Sequence, residues 1–218
     1  MIHLLTSTMA VILTALIWSL LRDLSSHGDR KKPGGKLRAD GVTAAAVFAV
    51  MLGLHGWQLD RGDSEESREA LYRPVATAIA EVALDGRTAA WLITQALHET
   101  RFARYVLENR CEDGPVGARC DEGRARGPWQ VHGWCVGAWD SQASQAEQLE
   151  AGARCALRGY WQGLHWCDGD VAGAFAAQHS ALRFQDPERW CRQPWALMRV
   201  RTMRDVEVRL WAAQEARM

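Results

Sequence analysis

The chain has no charge to spare: its 26 Lys and Arg are offset by 26 Asp and Glu over 218 residues, and three of the cations, Lys31, Lys32 and Lys36, are its only lysines. Binding a phosphate backbone needs a concentrated basic excess, so a nucleic-acid partner is excluded as the main business of the protein. No cysteine precedes residue 111 and no Cys-x-x-Cys pair occurs anywhere, which leaves a zinc ribbon or a thioredoxin-type centre poorly supported. Alternating runs of β-branched residues are also missing. No strand of any length is predicted, and the chain reads as mainly α.

What the sequence does contain is unevenly placed. Residues 2–21 run without a charge, and a helix rising about 1.5 Å per residue over that length spans roughly 30 Å, the thickness of a hydrocarbon core. A cleaved signal peptide is the rival reading, but the start offers His3 instead of Lys or Arg, and no clear small-x-small site follows. A second, Ala-rich stretch at 42–54, trailing to Trp57, is a shorter candidate span, with a buried or interfacial helix as its alternative. Between the two, residues 22–40 carry six basic side chains (Arg22, Arg30, Lys31, Lys32, Lys36, Arg38) against three acidic ones (Asp23, Asp29, Asp40). Short loops rich in Lys and Arg stay cytoplasmic. The expected organisation is a membrane anchor over 1–59, folded as a two-helix hairpin around the cytoplasmic 22–40 loop, then a linker at 60–70 and a domain over 71–218. That domain emerges on the far side of the membrane and holds, with its linker, 20 basic and 23 acidic residues.

The cysteines support that side. Cys111, Cys120, Cys135, Cys155, Cys167 and Cys191 are an even set confined to the far-side domain, which suggests disulfides formed in an oxidising compartment. The pairing is open, with Cys111 to Cys120, closing a small Gly-rich acidic loop, the first expectation. A metal site from Cys111, Cys120, His132 and Cys135 is the alternative, without the usual ligand spacing.

Apolar residues at steps of three and four predict a helix over 69–84, stopped at Asp85-Gly86, and a second, capped by Thr88, running to about Glu108. Residues 111–126 read as a loop, and further helices are predicted over 144–160, 169–180 and 200–213. In the second helix Leu92, Glu99 and Val106 share one face, with Ala96, Phe102 and Ala103 beside them, so a carboxylate lies on an apolar stripe. Burial disfavours the charged form of such a group and lets it hold a proton for a departing glycosidic oxygen. The alternative places Glu99 at the edge of the stripe, paired with one of the arginines at 101 and 104 or with an arginine elsewhere.

Glu99-Thr100-Arg101-Phe102, followed by Gly127-Pro128-Trp129-Gln130-Val131, resembles the lytic transglycosylase and goose-type lysozyme superfamily. There a helix ends in Glu-Ser-x-Phe and a later segment reads Gly-Leu-Met-Gln-hydrophobic. A third family element, Ala-Ala-Tyr-Asn-Ala-Gly, falls on Ala176-Ala177-Gln178-His179-Ser180-Ala181, where Gln-His stands for Tyr-Asn. The interval from Glu99 to Gln130 is 31 residues, long for the family. The resemblance spans roughly residues 71–180, about half the chain.

The resemblance implies a lysozyme-like domain that cleaves the β-1,4 bond between N-acetylmuramic acid and N-acetylglucosamine in peptidoglycan. It casts Glu99 as the acid and then the base on the muramoyl 6-hydroxyl, with no second carboxylate, cofactor or metal. Asp113, Asp121, Glu122 and Asp140 are candidates for a second acid that no motif places, as an ordinary carboxylate pair would require. Thr100, Phe102, Trp129, Gln130 and His179 are the candidate substrate contacts. Gln130 has a loop-closing backbone hydrogen bond as its alternative. Trp129, Trp134, Trp139 and Trp161 are candidate sugar-stacking rings or simply core packing. The arginines between 199 and 209 read as a solvated helical face. A domain that has lost turnover and only holds glycan strands is the competing function.

Overall fold

A computed structural model describes residues 41–54, 64–108, 110, 120, 124–132, 135, 142–178 and 191–216. Among these, the helices in chain order are α1 (Ala44–Leu54), α2 (Glu65–Val82), α3 (Gly86–Thr100), α4 (Arg104–Leu107), α5 (Gln145–Trp166), α6 (Val171–Gln178) and α7 (Pro194–Glu215). No strand occurs among the described residues, only one antiparallel bridge between Arg126 and Val131. The mainly α reading holds.

Local chemistry explains where the helices begin. The Ser64 hydroxyl accepts from the Ser67 amide, so α2 starts four residues earlier than apolar periodicity alone indicates. At α3 the N-cap is Asp85 and not Thr88. Asp85 Oδ1 accepts from the Thr88 amide at 2.8 Å while Thr88 Oγ1 accepts from the Asp85 amide at 3.1 Å, a reciprocal capping box.

α3 is the central element. Ala89 through Ile93 are fully buried, and Trp91 packs against Tyr160 of α5 (ring centroids 4.9 Å apart) and Phe175 of α6 (5.7 Å). The expected continuation to Glu108 does not occur, because Arg101 and Phe102 turn left-handed at φ 55° and 56°. Thr100 Oγ1 stabilises the break by donating to the Ala96 carbonyl and accepting from the Phe102 amide. Val106 therefore leaves the face of Leu92 and Glu99 and packs instead with Cys120 and Ala125.

The stretch expected as a second membrane span takes its alternative reading. α1 is an 11-residue helix that buries Ala46, Val47, Val50, Met51 and Leu54 against α2 and α7. It is about 16 Å long, half of what a bilayer requires. Its near-uniform apolarity suits a helix enclosed on most sides as well as one in lipid, which is why composition did not separate the two. No described helix is long and apolar enough to cross a membrane. Residues 2–21, the first candidate span, lie outside the described residues.

Two disulfides tie the helical frame together. Cys135–Cys155 fastens the segment after the Gly127 turn to α5, and Cys167–Cys191 joins the end of α5 to the approach of α7. Cys120 is also disulfide-bonded, whereas Cys111, the partner expected for it, lies outside the described residues. The α5–α6 contact depends on small residues. A side chain at Gly163 would place its Cβ 2.7 Å from the Ala174 Cα, and one at Gly173 would collide with the Cys167 sulfur.

Candidate active site

Glu99 sits in the last turn of α3, and its side chain is 13% exposed. It is not solitary on the apolar face. Glu99 Oε1 accepts from Arg199 Nη1 of α7 at 2.6 Å and from Gln95 Nε2, one turn back on α3, at 3.0 Å. Arg199 Nη1 also donates to Gln95 Oε1 at 3.2 Å, which closes a three-membered ring of hydrogen bonds. The guanidinium is only 12% exposed, and the Trp195 ring lies 4.8 Å from its central carbon. Glu99 is thus held by an arginine from another element. Removing either partner of a pair at this depth strands the other charge, so the cluster is energetically coupled.

His98 lies beside this pair, its Nε2 3.3 Å from Thr202 Oγ1 on α7. Burial chiefly, and then the Arg199 cation, hold its pKa below the ordinary 6.5, with Glu99 opposing. A depressed imidazole pKa means that the unfolded chain takes up the proton more readily. Stability is therefore complete above the unfolded value and falls as the pH drops through the window between 6.5 and the folded value. Urea midpoints measured at about pH 7.5 and about pH 5.5 are expected to differ less in His98→Asn than in the parent. An identical acid loss in both chains would remove His98 from this account.

The second motif is attached to the same helix. The Trp129 indole N–H donates to the Leu92 carbonyl at 3.0 Å, and the residue is 1% exposed. Leu92 is two turns, roughly 10 Å, before Glu99 along α3. The turn itself is tight, with the Arg126 and Val131 amides each donating to the other's carbonyl and Gly127 and Gln130 at φ 63° and 46°.

The residues singled out from the sequence divide accordingly. Thr100 stops α3, and Phe102 is buried with its ring 5.3 Å from Tyr72. Trp129 is a core anchor. Gln130 takes the loop-closing role, donating from Nε2 to the Gly127 carbonyl at 3.0 Å. Trp161 is exposed on α5, its ring 5.0 Å from Tyr160. His179, Trp134, Trp139, Asp113, Asp121, Glu122 and Asp140 lie outside the described residues. Cys135 is bonded to Cys155, which removes it from the thiolate set imagined with His132. No described cluster of His, Cys, Asp or Glu has metal-holding geometry.

Sequence reasoning missed Gln95, Trp195 and Arg199. A signal for the last was present: Ala196, Arg199, Met203, Val206 and Leu210 recur at steps of three and four, and the four apolar members are buried. Of the arginines at 199, 201, 204 and 209, only Arg199 turns inward; the others are exposed, and Arg209 pairs with Asp205 on its own helix. No family model, curated protein or solved structure matches the chain.

Proposed function

We propose that the chain is a peptidoglycan-cleaving enzyme of the lytic-transglycosylase type, working in the cell envelope with Glu99 as its proton-carrying group. The observation that carries this reading is the placement of one largely buried carboxylate at the end of a rigid central helix. The left-handed turn at Arg101 and Phe102 fixes that end, and the Gly127 to Gln130 turn is pinned to the same helix by Trp129. In this mechanism Glu99 donates a proton to the oxygen leaving C1 of the muramoyl unit. It then takes the proton of the 6-hydroxyl as O6 bonds to C1, so the carboxyl is restored and no water enters. The disulfides support an oxidising compartment.

The test is clearing of a murein gel by the parent and by Glu99→Gln. Clearing by the parent alone is the expected result, with 1,6-anhydro ends in the released fragments. Equal clearing by both chains would remove Glu99 from the mechanism, and reducing ends alone would replace lyase by hydrolase chemistry. The ion pair with Arg199 favours a second reading, a domain that holds glycan strands without cleaving them. Glycan binding by the parent, with no clearing under any condition, would establish that reading.

A further inference from the structure

We propose that Arg199 locks the site off by holding Glu99 as an anion, and that turnover requires the start of α7 to move away. This rests on the reading of Glu99 as the proton donor. A general acid must carry a proton, and an ionised carboxylate is an acceptor only. With a guanidinium nitrogen 2.6 Å from Oε1, the charged form is the favoured one. Gln95 reinforces the arrangement. Its carbonyl accepts from Arg199 and its amide nitrogen donates to Glu99, so both ends of the side chain are used in keeping the two charges together. The Trp195 ring covers the guanidinium from its own helix.

The element that carries the arginine is suited to moving. α7 begins at Pro194, which has no backbone N–H to donate, and Leu197 and Met198 are each 57% exposed. Before Met203, α7 has one fully buried residue, Ala196, with Trp195 and Val200 half-buried against the core. Regions with few buried apolar contacts open at low free-energy cost, whereas Met203, Val206 and Leu210 keep the remainder of α7 in the core. Arg199 is thus a positioning residue that acts through Glu99, and its release converts the carboxylate from a structural partner into an acid.

Removing the cation should raise cleavage, which is the opposite of what loss of a structural ion pair predicts. The full-length protein in detergent is assayed on purified murein with Arg199→Gln and Arg199→Met, one polar and one apolar replacement, each with its thermal melt recorded. Either folded variant is expected to clear about tenfold faster than the parent near neutral pH, because without the neighbouring cation a larger share of Glu99 carries the proton. Arg199→Lys, which keeps the charge, should bring the rate back toward that of the parent, and adding Glu99→Gln to either fast variant should abolish clearing. A folded Arg199 variant that clears no faster than an active parent overturns the lock and leaves Glu99 as the acid. If the parent and both folded variants fail to clear, the lock and the assignment of Glu99 fall together.

Discussion

A chain beginning at Ser64 is expected not to fold. The deletion removes α1, which buries Val47, Val50, Met51 and Leu54 together with Ala46. Each of the four larger side chains contributes about 1.5–3 kcal/mol on burial, so their loss amounts to roughly 6–12 kcal/mol. Domains of this kind have total stabilities of about 5–15 kcal/mol. The deletion also uncovers the faces of α2 and α7 on which α1 lies, adding exposed apolar surface to the lost contacts. Circular dichroism and thermal melts of chains starting at Gly41 and at Ser64 make the comparison. A cooperative melt of the shorter chain at the same temperature would show that α1 is not part of the core. The experiment matters in practice, because a domain boundary drawn from hydropathy falls near residue 60, inside the region that this prediction forbids cutting.

Trp129→Ala is expected to cost about 3–5 kcal/mol, the usual penalty for emptying a buried aromatic site, and to abolish any clearing of murein. The ring is 1% exposed and its N–H is the side-chain hydrogen bond that attaches the Gly127 to Gln130 turn to α3. Without it, a turn that needs left-handed backbone at Gly127 and Gln130 has lost its attachment to the helix that carries Glu99. Trp129→Phe separates the two contributions. It keeps most of the buried volume and gives up the hydrogen bond, for a cost of about 1 kcal/mol. Urea melts of both variants decide the packing claim: an alanine variant within about 1 kcal/mol of the parent would contradict it. Murein clearing by a folded alanine variant would show that the turn has no part in the site.

Most of the helices were legible because their signals are local. Asp85-Gly86 between two apolar periods marks a stop and a start, and both features hold, although the cap proved to be Asp85 with Thr88 as its reciprocal partner. The break after Thr100 was not legible. Leu92, Glu99 and Val106 keep helical spacing straight through it, and only the tertiary position of Phe102 against Tyr72 and the left-handed pair at Arg101 and Phe102 end the helix there. At the site, Glu99 stood out because a carboxylate on an apolar stripe is unusual. Its partner did not, because an ion pair across 100 residues of sequence leaves no local trace. Arg199 was hidden by the arginines at 201, 204 and 209, whose exposed positions gave the segment the look of a solvated face. Of the motif residues, Thr100 stops α3, Trp129 takes its core-packing alternative, and the Phe102 ring packs on Tyr72.

The close approach of α6 to the end of α5 also sets a condition on the cystine beside it. A Cβ at position 173 would run into the Cys167 side chain and come within 3.2 Å of the Cys191 Cβ. The Cys167–Cys191 bond therefore closes in this packing only while position 173 carries no side chain, so a covalent cross-link in this protein depends on a residue that takes no part in it.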